Sequence, residues 1–145
     1  MPKFNIDRIR QIIGEINFAL SKLETIRKIN EETFLKDNEK IDSAKYNLIV
    51  IIEGAIDICN HIVARAGGRA PHDYADCFAI LEEIEIFSTA FAEKLKRMAK
   101  FRNLLVHLYG QVDNHKVFAI LREDISDIKK YLRGIENFIE RTDTL

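Results

Sequence analysis

Apolar residues recur along most of this chain at alternating steps of three and four, which places them on one face of an α-helix. In the N-terminal segment two such rows run side by side, and we predict an amphipathic helix over about residues 5–30. The rows are Ile6, Ile9, Ile13, Ile16, Leu20 and Leu23, and then Ile12, Ala19 and Ile26. Isoleucine slightly disfavours helices, but burial of an amphipathic face supplies most of a helix's stability in a folded protein.

Glycine and proline are scarce, at six and two residues, and they mostly separate helical segments. The same spacing predicts a second long helix over about 40–66, a short third over 72–84, a fourth over 88–110 and a fifth after Asp113 that extends to Ile139. No segment alternates apolar and polar residues between turn signals, so no strand is predicted. We expect an all-α protein: an antiparallel up-and-down bundle of four long helices plus a short one, forming a single domain over residues 1–145.

The charge of the chain is balanced, because 22 Lys and Arg residues stand against 23 Asp and Glu, for a formal net charge of −1. This excludes a general nucleic-acid coat protein and a polybasic membrane binder, so any affinity for phosphate must come from a local cluster. The N-terminus lacks a signal-peptide pattern, and the longest strongly apolar run, Leu48–Ile52, ends at Glu53. Two cysteines are too few for a disulfide scaffold. We expect a cytoplasmic protein with reduced thiols.

The densest positive charge lies between Lys94 and Arg102, where five residues are basic and none is acidic. Lys96, Arg97 and Lys100 are therefore candidates for binding phosphate. A solvated helix face is the commoner explanation for a charge run considered alone.

Three polar residues lie at the end of this basic stretch and just beyond it on the predicted fourth helix. At about 100° per residue, Asn103 and His107 share one side of the helix, whereas Arg102 falls among apolar positions. An arginine is costly to bury unless an anion pairs with it. A carboxylate from another helix would satisfy Arg102, and so would a bound phosphate. A histidine near a helix C-terminus can also be no more than a favourable contact with the helix dipole.

The second helix carries Glu53, Asp57 and His61 at four-residue intervals. This spacing can bind a metal ion or hold carboxylates for acid–base chemistry, although a solvated polar face is the commoner cause. We predict that Glu53 and Asp57 orient Arg102 or His107 across the bundle, with His61 as a further supporting candidate. No metal ion and no cofactor are predicted.

The segment Arg102-Asn103-x-x-x-His107-x-Tyr109 is similar to the Arg-x4-His-x-Tyr signature of HepT-type toxins. These toxins belong to the HEPN (higher eukaryotes and prokaryotes nucleotide-binding) superfamily. The resemblance extends over residues 46–61, 69–78 and 98–113, and it covers the chain from about 40 to 135. The first helix matches in length and pattern only.

This resemblance implies an α-helical homodimer that acts as a metal-independent endoribonuclease. It implies a toxin whose partner is a small MNT-type nucleotidyltransferase antitoxin. In that family the antitoxin transfers adenylate to the motif tyrosine, which corresponds to Tyr109. The catalytic Arg and His correspond to Arg102 and His107, with Asn103 as the polar residue of the motif.

The chemistry of metal-free RNA cleavage suits these residue types. The 2′-hydroxyl attacks the adjacent phosphodiester, so the site needs a proton acceptor, a proton donor and a cation. An imidazole can serve as acid or base near neutrality, and a guanidinium is a forked donor for phosphate oxygens. Asn103 lies one turn before His107 and can bind a phosphate or orient the ring. Since a helix C-terminus favours a cation, we expect His107 to be the acid.

The positions of Arg102 and His107 predict that the site is shared between subunits. The two residues are about 140° apart around an ideal helix, so they cannot face one phosphate from the same side. We expect a composite site at a dimer interface that contains His107 from both chains. Tyr109 is expected to share a side with Arg102 on a continuous helix, so that adenylation would place a phosphodiester within reach of the guanidinium.

Two other functions remain open from the sequence. One is a non-catalytic helical dimer that binds a nucleotide or a partner protein. The other, weaker, is a purely structural dimer built on the apolar stripes of the first and fifth helices. The complete Arg102, Asn103, His107 and Tyr109 set favours the enzyme, because a binding module has no need for an acid–base group.

Overall fold

The computed structural model describes residues 4–143, and this range is helical through most of its length and contains no strand. The all-α prediction is therefore confirmed. Seven helices lie in this range: α1 (Ile6–Ile26), α2 (Glu31–Leu35), α3 (Asn38–Ala66), α4 (Tyr74–Glu83), α5 (Thr89–His107), α6 (Asn114–Glu123) and α7 (Ile125–Asp143). A 3₁₀ turn at Tyr109–Gln111 follows α5.

Polar side chains begin the helices where the sequence places them. Ser88 Oγ accepts the backbone N–H of Phe91 at 3.2 Å at the start of α5. Asp113 Oδ1 accepts the N–H of His115 at 2.9 Å at the start of α6. Both caps satisfy a backbone donor that has no partner within the helix, which fixes the residue at which each helix starts.

Helix α3 occupies the centre of the fold, with α1 packed along it and with α4 and α5 also against it. Helix α7 is joined to α3 by Tyr131, which is fully buried and donates its hydroxyl to the carbonyl oxygen of Ala55 at 2.8 Å. Phe87 stacks on the Tyr131 ring with 5.4 Å between the centroids. Burial raises the pKa of the Tyr131 phenol, so the hydroxyl remains a neutral donor.

Helix α3 is also long and apolar enough to cross a membrane by length and composition. Its most apolar 18-residue window has a mean hydropathy of 1.5, and 56% of that window is buried inside the protein. Since its apolar residues pack against the neighbouring helices, these values are those expected of a core helix.

The predicted fifth helix is wrong as a single element, because it is interrupted at Asp124 and forms α6 and α7. The Asp124 N–H still donates to Ile120 O at 2.9 Å, but the Asp124 carbonyl accepts from Asp127 N at 3.0 Å, a bond that closes a tighter turn. The apolar stripe continues across the break, with Leu121 and Ile125 both buried. The periodicity therefore gives no sign of the interruption.

Candidate active site at the end of helix α5

Arg102 lies on α5 and points its guanidinium towards α3. Its Nη2 and Nε donate to Glu53 Oε1 at 2.8 and 3.2 Å, and the side chain is only 16% exposed. The Tyr74 ring covers the other side, with its centroid 5.2 Å from Arg102 Cζ. The partly buried arginine thus has the carboxylate partner that its position on the helix requires.

Only one of the two expected carboxylates reaches Arg102. Asp57, one turn further along α3, instead lies 3.7 Å from Arg8 of α1. The structure therefore places Asp57 beside a cation of the first helix and not beside Arg102, and its role in orienting Arg102 or His107 stays a prediction.

The loop before α4 positions Tyr74 against Arg102. Arg69 donates to both oxygens of Asp76 at 2.6 and 2.8 Å and to Glu83 at 2.8 Å, which ties the loop to α4. The Arg69 guanidinium, together with the backbone N–H of His72, holds the pKa of the Asp76 carboxyl well below its usual range. This pair therefore stays ionised over the physiological pH range.

Asn103 is coupled directly to its neighbour. Its Oδ1 accepts from Arg102 Nη1 at 3.1 Å, and its side chain is exposed. Glu53 and Asn103 together occupy donors on three nitrogens of the guanidinium, so its plane is held in one orientation. Such a preorganised fork suits a phosphate that approaches from the exposed side.

His107 is the last residue of α5 and its ring is exposed. Among residues 4–143 it has no hydrogen-bond or ion-pair partner, and no contact joins it to Arg102. The fold therefore brings Arg102, Asn103 and Glu53 together and leaves the imidazole at the helix end, available to solvent.

Tyr109 lies beyond the end of α5, so the expectation of a continuous helix through Tyr109 is wrong. Leu108 leaves the helical backbone with φ −130° and ψ 39°, and the chain turns towards the first part of α3. There the Tyr109 hydroxyl donates to Asp42 Oδ1 at 2.7 Å, and Lys45 Nζ donates to the Tyr109 carbonyl at 2.9 Å. Asp42 lies eleven residues before Glu53 on α3, about three turns and a rise of ~16 Å, so Tyr109 contacts the same face of α3 as Arg102 but nearer to the start of that helix.

Burial and the Asp42 carboxylate raise the pKa of Tyr109 to about 12. Lys45 is itself buried, at 4% exposure, and its ammonium lies 4.4 Å from the centre of the Tyr109 ring. Neither Asp42 nor Lys45 is among the site residues predicted from the sequence. A signal was present, because Lys45 falls beside Ala44 and Leu48 in the buried stripe of α3, where a lysine needs a specific partner.

The basic residues before Arg102 are not equivalent. Lys96 donates to Glu93 at 2.9 Å, which raises the pKa of the lysine, whereas Lys100 is exposed. Arg97 lines a cavity of about 220 Å³ between the helices, together with Lys94, which lies 3.6 Å from Asp127. Phosphate binding by Lys96, Arg97 and Lys100 stays a prediction.

His61 lies on α3 but contacts the residue that precedes α1, and no hydrogen bond or ion pair joins its side chain to Arg102, so its supporting role stays a prediction. Its Nε2 accepts the backbone N–H of Asn5 at 3.0 Å. Burial, followed by the charges of Arg65 and Arg8, lowers the pKa of the ring. Among residues 4–143, no group of three His, Cys, Asp or Glu side chains is arranged to hold a metal ion.

The low pKa of His61 predicts a pH-dependent stability. Below the ordinary pKa of about 6.5 the unfolded chain binds a proton that the folded ring resists, so acidification favours unfolding. The stability that depends on a neutral His61 ring is therefore present above about pH 6.5 and is lost as the pH falls below that value. We expect the melting temperature to fall between about pH 7.5 and pH 5.5. His61→Gln, which keeps an acceptor but does not titrate, should flatten that fall; an unchanged slope would contradict the assignment.

The contact between Arg102 and Glu53 predicts that removing the Glu53 charge destabilises the protein more than removing the Asp57 charge. Glu53→Gln removes the charge that compensates a partly buried guanidinium, and we expect the free energy of unfolding to fall by about 1 kcal/mol. Asp57→Asn removes the carboxylate one turn away, whose partner Arg8 is exposed, and we expect a change below about 0.5 kcal/mol. Denaturant unfolding of both variants measures this. Equal effects would show that Glu53 has no special role.

Comparison with solved structures identifies the fold. The tri-AMPylated HEPN toxin of Shewanella oneidensis, solved in complex with an MNT antitoxin, matches with a TM-score of 0.82 at 24% identity, over 89% of this chain and 96% of that chain. YutE, a cytosolic protein of Bacillus subtilis, matches with a TM-score of 0.83 at 17% identity, over 98% and 95% of the two chains. The helices around Arg102 and His107 are thus arranged in the fold of the HEPN toxins.

Sequence comparison then gives the family. Residues 5–135 match the family described as ribonuclease HepT-like, and the chain belongs to that family. A relative from Archaeoglobus fulgidus that is named as an RNase is 32% identical over 119 residues, which are 82% of this chain and 88% of the relative. The mRNA nuclease HepT of Shewanella oneidensis is 27% identical over 71% of this chain and 77% of its own. The tRNA nuclease HepT of Aphanizomenon flos-aquae is 25% identical over 89% and 86%.

Proposed function

We propose that this protein is a cytoplasmic, metal-independent endoribonuclease, the toxin of a HEPN/MNT toxin–antitoxin pair. One all-helical domain would carry the activity, with its four long helices forming an antiparallel bundle. The observation that supports this most is the presence on one helix of a fixed, partly buried guanidinium at Arg102 and an exposed imidazole at His107. Membership of the HepT-like ribonuclease family supports the same conclusion.

The proposed reaction uses the RNA's own 2′-hydroxyl as the nucleophile. Its oxygen forms a bond to the adjacent phosphorus while the bond from phosphorus to the 5′-oxygen breaks. One imidazole accepts the 2′ proton and another gives a proton to the departing 5′-oxygen, so the products carry a 2′,3′-cyclic phosphate and a 5′-hydroxyl. Arg102 stabilises the charge on the pentacoordinate phosphorus, and Asn103 supports it.

We propose a homodimer because one chain supplies only one such imidazole. Large apolar side chains around the motif are unusually exposed, with Leu104 and Val106 at 42% and Leu108 at 44%. A second copy packed on this end of α5 would cover them and place two His107 rings beside one groove. Lys96, Arg97 and Lys100 would extend that groove with positive charge for the RNA backbone.

Subunit mixing tests the composite site. Wild type and His107→Ala, mixed in equal amounts and allowed to exchange subunits, give about one quarter wild-type homodimers. If both imidazoles serve one phosphate, activity falls to about one quarter of the wild-type value, since mixed dimers are inactive. Separate sites within each subunit would leave about one half. Mixing with His115→Ala, a variant of an exposed histidine that pairs with Glu31, should cause no loss.

Adenylation by the antitoxin is the proposed means of inhibition, with Tyr109 as the acceptor. The phenol lies two residues after His107, and the tyrosine is 37% exposed. A nucleotide attached there would add a negative phosphodiester beside the proposed path of the RNA backbone. Support for this step also comes from the adenylated state of the Shewanella oneidensis toxin.

A further inference from the structure

The Tyr109 hydroxyl has a hydrogen-bond partner within the chain, because it donates to Asp42 Oδ1 of α3 at 2.7 Å. This distance is typical of a hydroxyl–carboxylate hydrogen bond in a protein. Asp42 is exposed, so its other oxygen can exchange a proton with water. The contact therefore joins the proposed nucleophile directly to a basic group of the same chain.

Lys45 holds the backbone on which this contact depends. Its buried ammonium donates to the carbonyl of Tyr109 itself at 2.9 Å and lies against the ring at 4.4 Å. Among residues 4–143, the charged side chains that contact Tyr109 are those of Asp42 and Lys45. A buried lysine whose partners are one carbonyl and one ring fixes both the position and the direction of the phenol.

We propose that Asp42 is the general base that activates Tyr109 for nucleotidyl transfer, a role that rests on the adenylation proposed above. In the step, Tyr109 Oη forms a bond to the α-phosphorus of a nucleoside triphosphate while the bond from that phosphorus to the β-phosphate oxygen breaks. The phenolic proton passes to Asp42 Oδ1, and pyrophosphate leaves. The acid so formed returns its proton to water.

A base is needed because the phenol does not ionise unaided. With a pKa of about 12, Tyr109 is ionised to only about one part in 10⁵ at pH 7. A carboxylate at 2.7 Å allows the neutral phenol to react, because it accepts the proton as the bond to phosphorus forms. Once modified, Oη has no proton to donate and the new phosphodiester repels the carboxylate, so the Tyr109–Asp42 contact is lost.

The test measures adenylate transfer to the intact protein by its MNT antitoxin with ATP, followed by mass spectrometry of the whole chain. Asp42→Asn keeps an oxygen that can accept the hydrogen bond but cannot accept the proton. We expect the transfer rate to fall about 100-fold at pH 7. It should then rise about tenfold per pH unit towards pH 9, because phenolate must form without help. The wild-type rate should be much flatter over this range.

Three variants make the result specific. Glu39→Gln removes an exposed acid one turn earlier on α3 and should be modified at the wild-type rate. Asp42→Glu restores a carboxylate and should recover part of the lost rate. Unmodified Asp42→Asn should cleave RNA at the wild-type rate, which separates a defect in modification from a defect in folding.

The outcomes distinguish this inference from the function on which it rests. Wild-type transfer by Asp42→Asn, or a slow rate with the wild-type pH profile, would overturn the base role and leave adenylation intact. Failure of the wild-type protein to be modified at Tyr109 would overturn the proposed adenylation itself, and with it the role of Asp42.

Discussion

Replacing His107 with alanine is expected to lower kcat for RNA cleavage about 1000-fold, because general acid–base catalysis contributes between 10² and 10⁴. KM should change little, since Arg102 and the basic residues Lys96, Arg97 and Lys100 would still bind the RNA backbone. The fold should also be unaffected, because the ring is exposed and has no partner among residues 4–143. The measurement is steady-state cleavage of a defined RNA.

His115→Ala provides the matched control for this variant. Its imidazole is also exposed, pairs with Glu31 at 2.8 Å and lies on α6, away from Arg102. We expect full activity from this variant. Comparable losses in both variants, or none in His107→Ala, would remove His107 from the catalytic role.

Adenylation of Tyr109 is expected to lower the cleavage rate about 100-fold, which corresponds to about 2.7 kcal/mol. The physical reason differs from the one that a continuous helix would give. Tyr109 contacts Asp42, ~16 Å along α3 from the Glu53 that binds Arg102, so the added phosphodiester acts by repelling the RNA and occupying its path near His107. The measurement compares purified modified and unmodified protein on the same RNA.

Tyr109→Phe is the control for that comparison. It lacks the acceptor oxygen, so treatment with antitoxin and ATP should leave its cleavage rate unchanged. Modified wild type that cleaves as fast as unmodified wild type would contradict inhibition by adenylation. Equal inhibition of Tyr109→Phe would place the modification elsewhere.

The long helices could be predicted because each one buries a stripe that is visible at steps of three and four. The pairing of Arg102 with Glu53 could also be predicted, since a guanidinium among apolar positions demands a carboxylate from a neighbouring helix. Both inferences depend on local spacing and on the cost of burying an unpaired charge.

The remaining features could not be predicted because distant contacts decide the local structure. Asp57 and His61 repeat the spacing of Glu53, but Arg8 and the backbone of Asn5 at the start of α1 engage them instead. The position of Tyr109 depends on Lys45 and Asp42, more than sixty residues earlier in the chain. No window around the motif contains that information.

The most direct test of the proposed function is the identity of the RNA ends formed by the unmodified, dimeric protein in the presence of excess chelator. We expect 2′,3′-cyclic phosphate and 5′-hydroxyl ends from wild type, and neither from His107→Ala. Cleavage that requires an added divalent cation, or that leaves 5′-phosphate ends, would contradict it. The absence of any cleavage by the wild type would favour a non-catalytic helical dimer that binds a nucleotide or a partner.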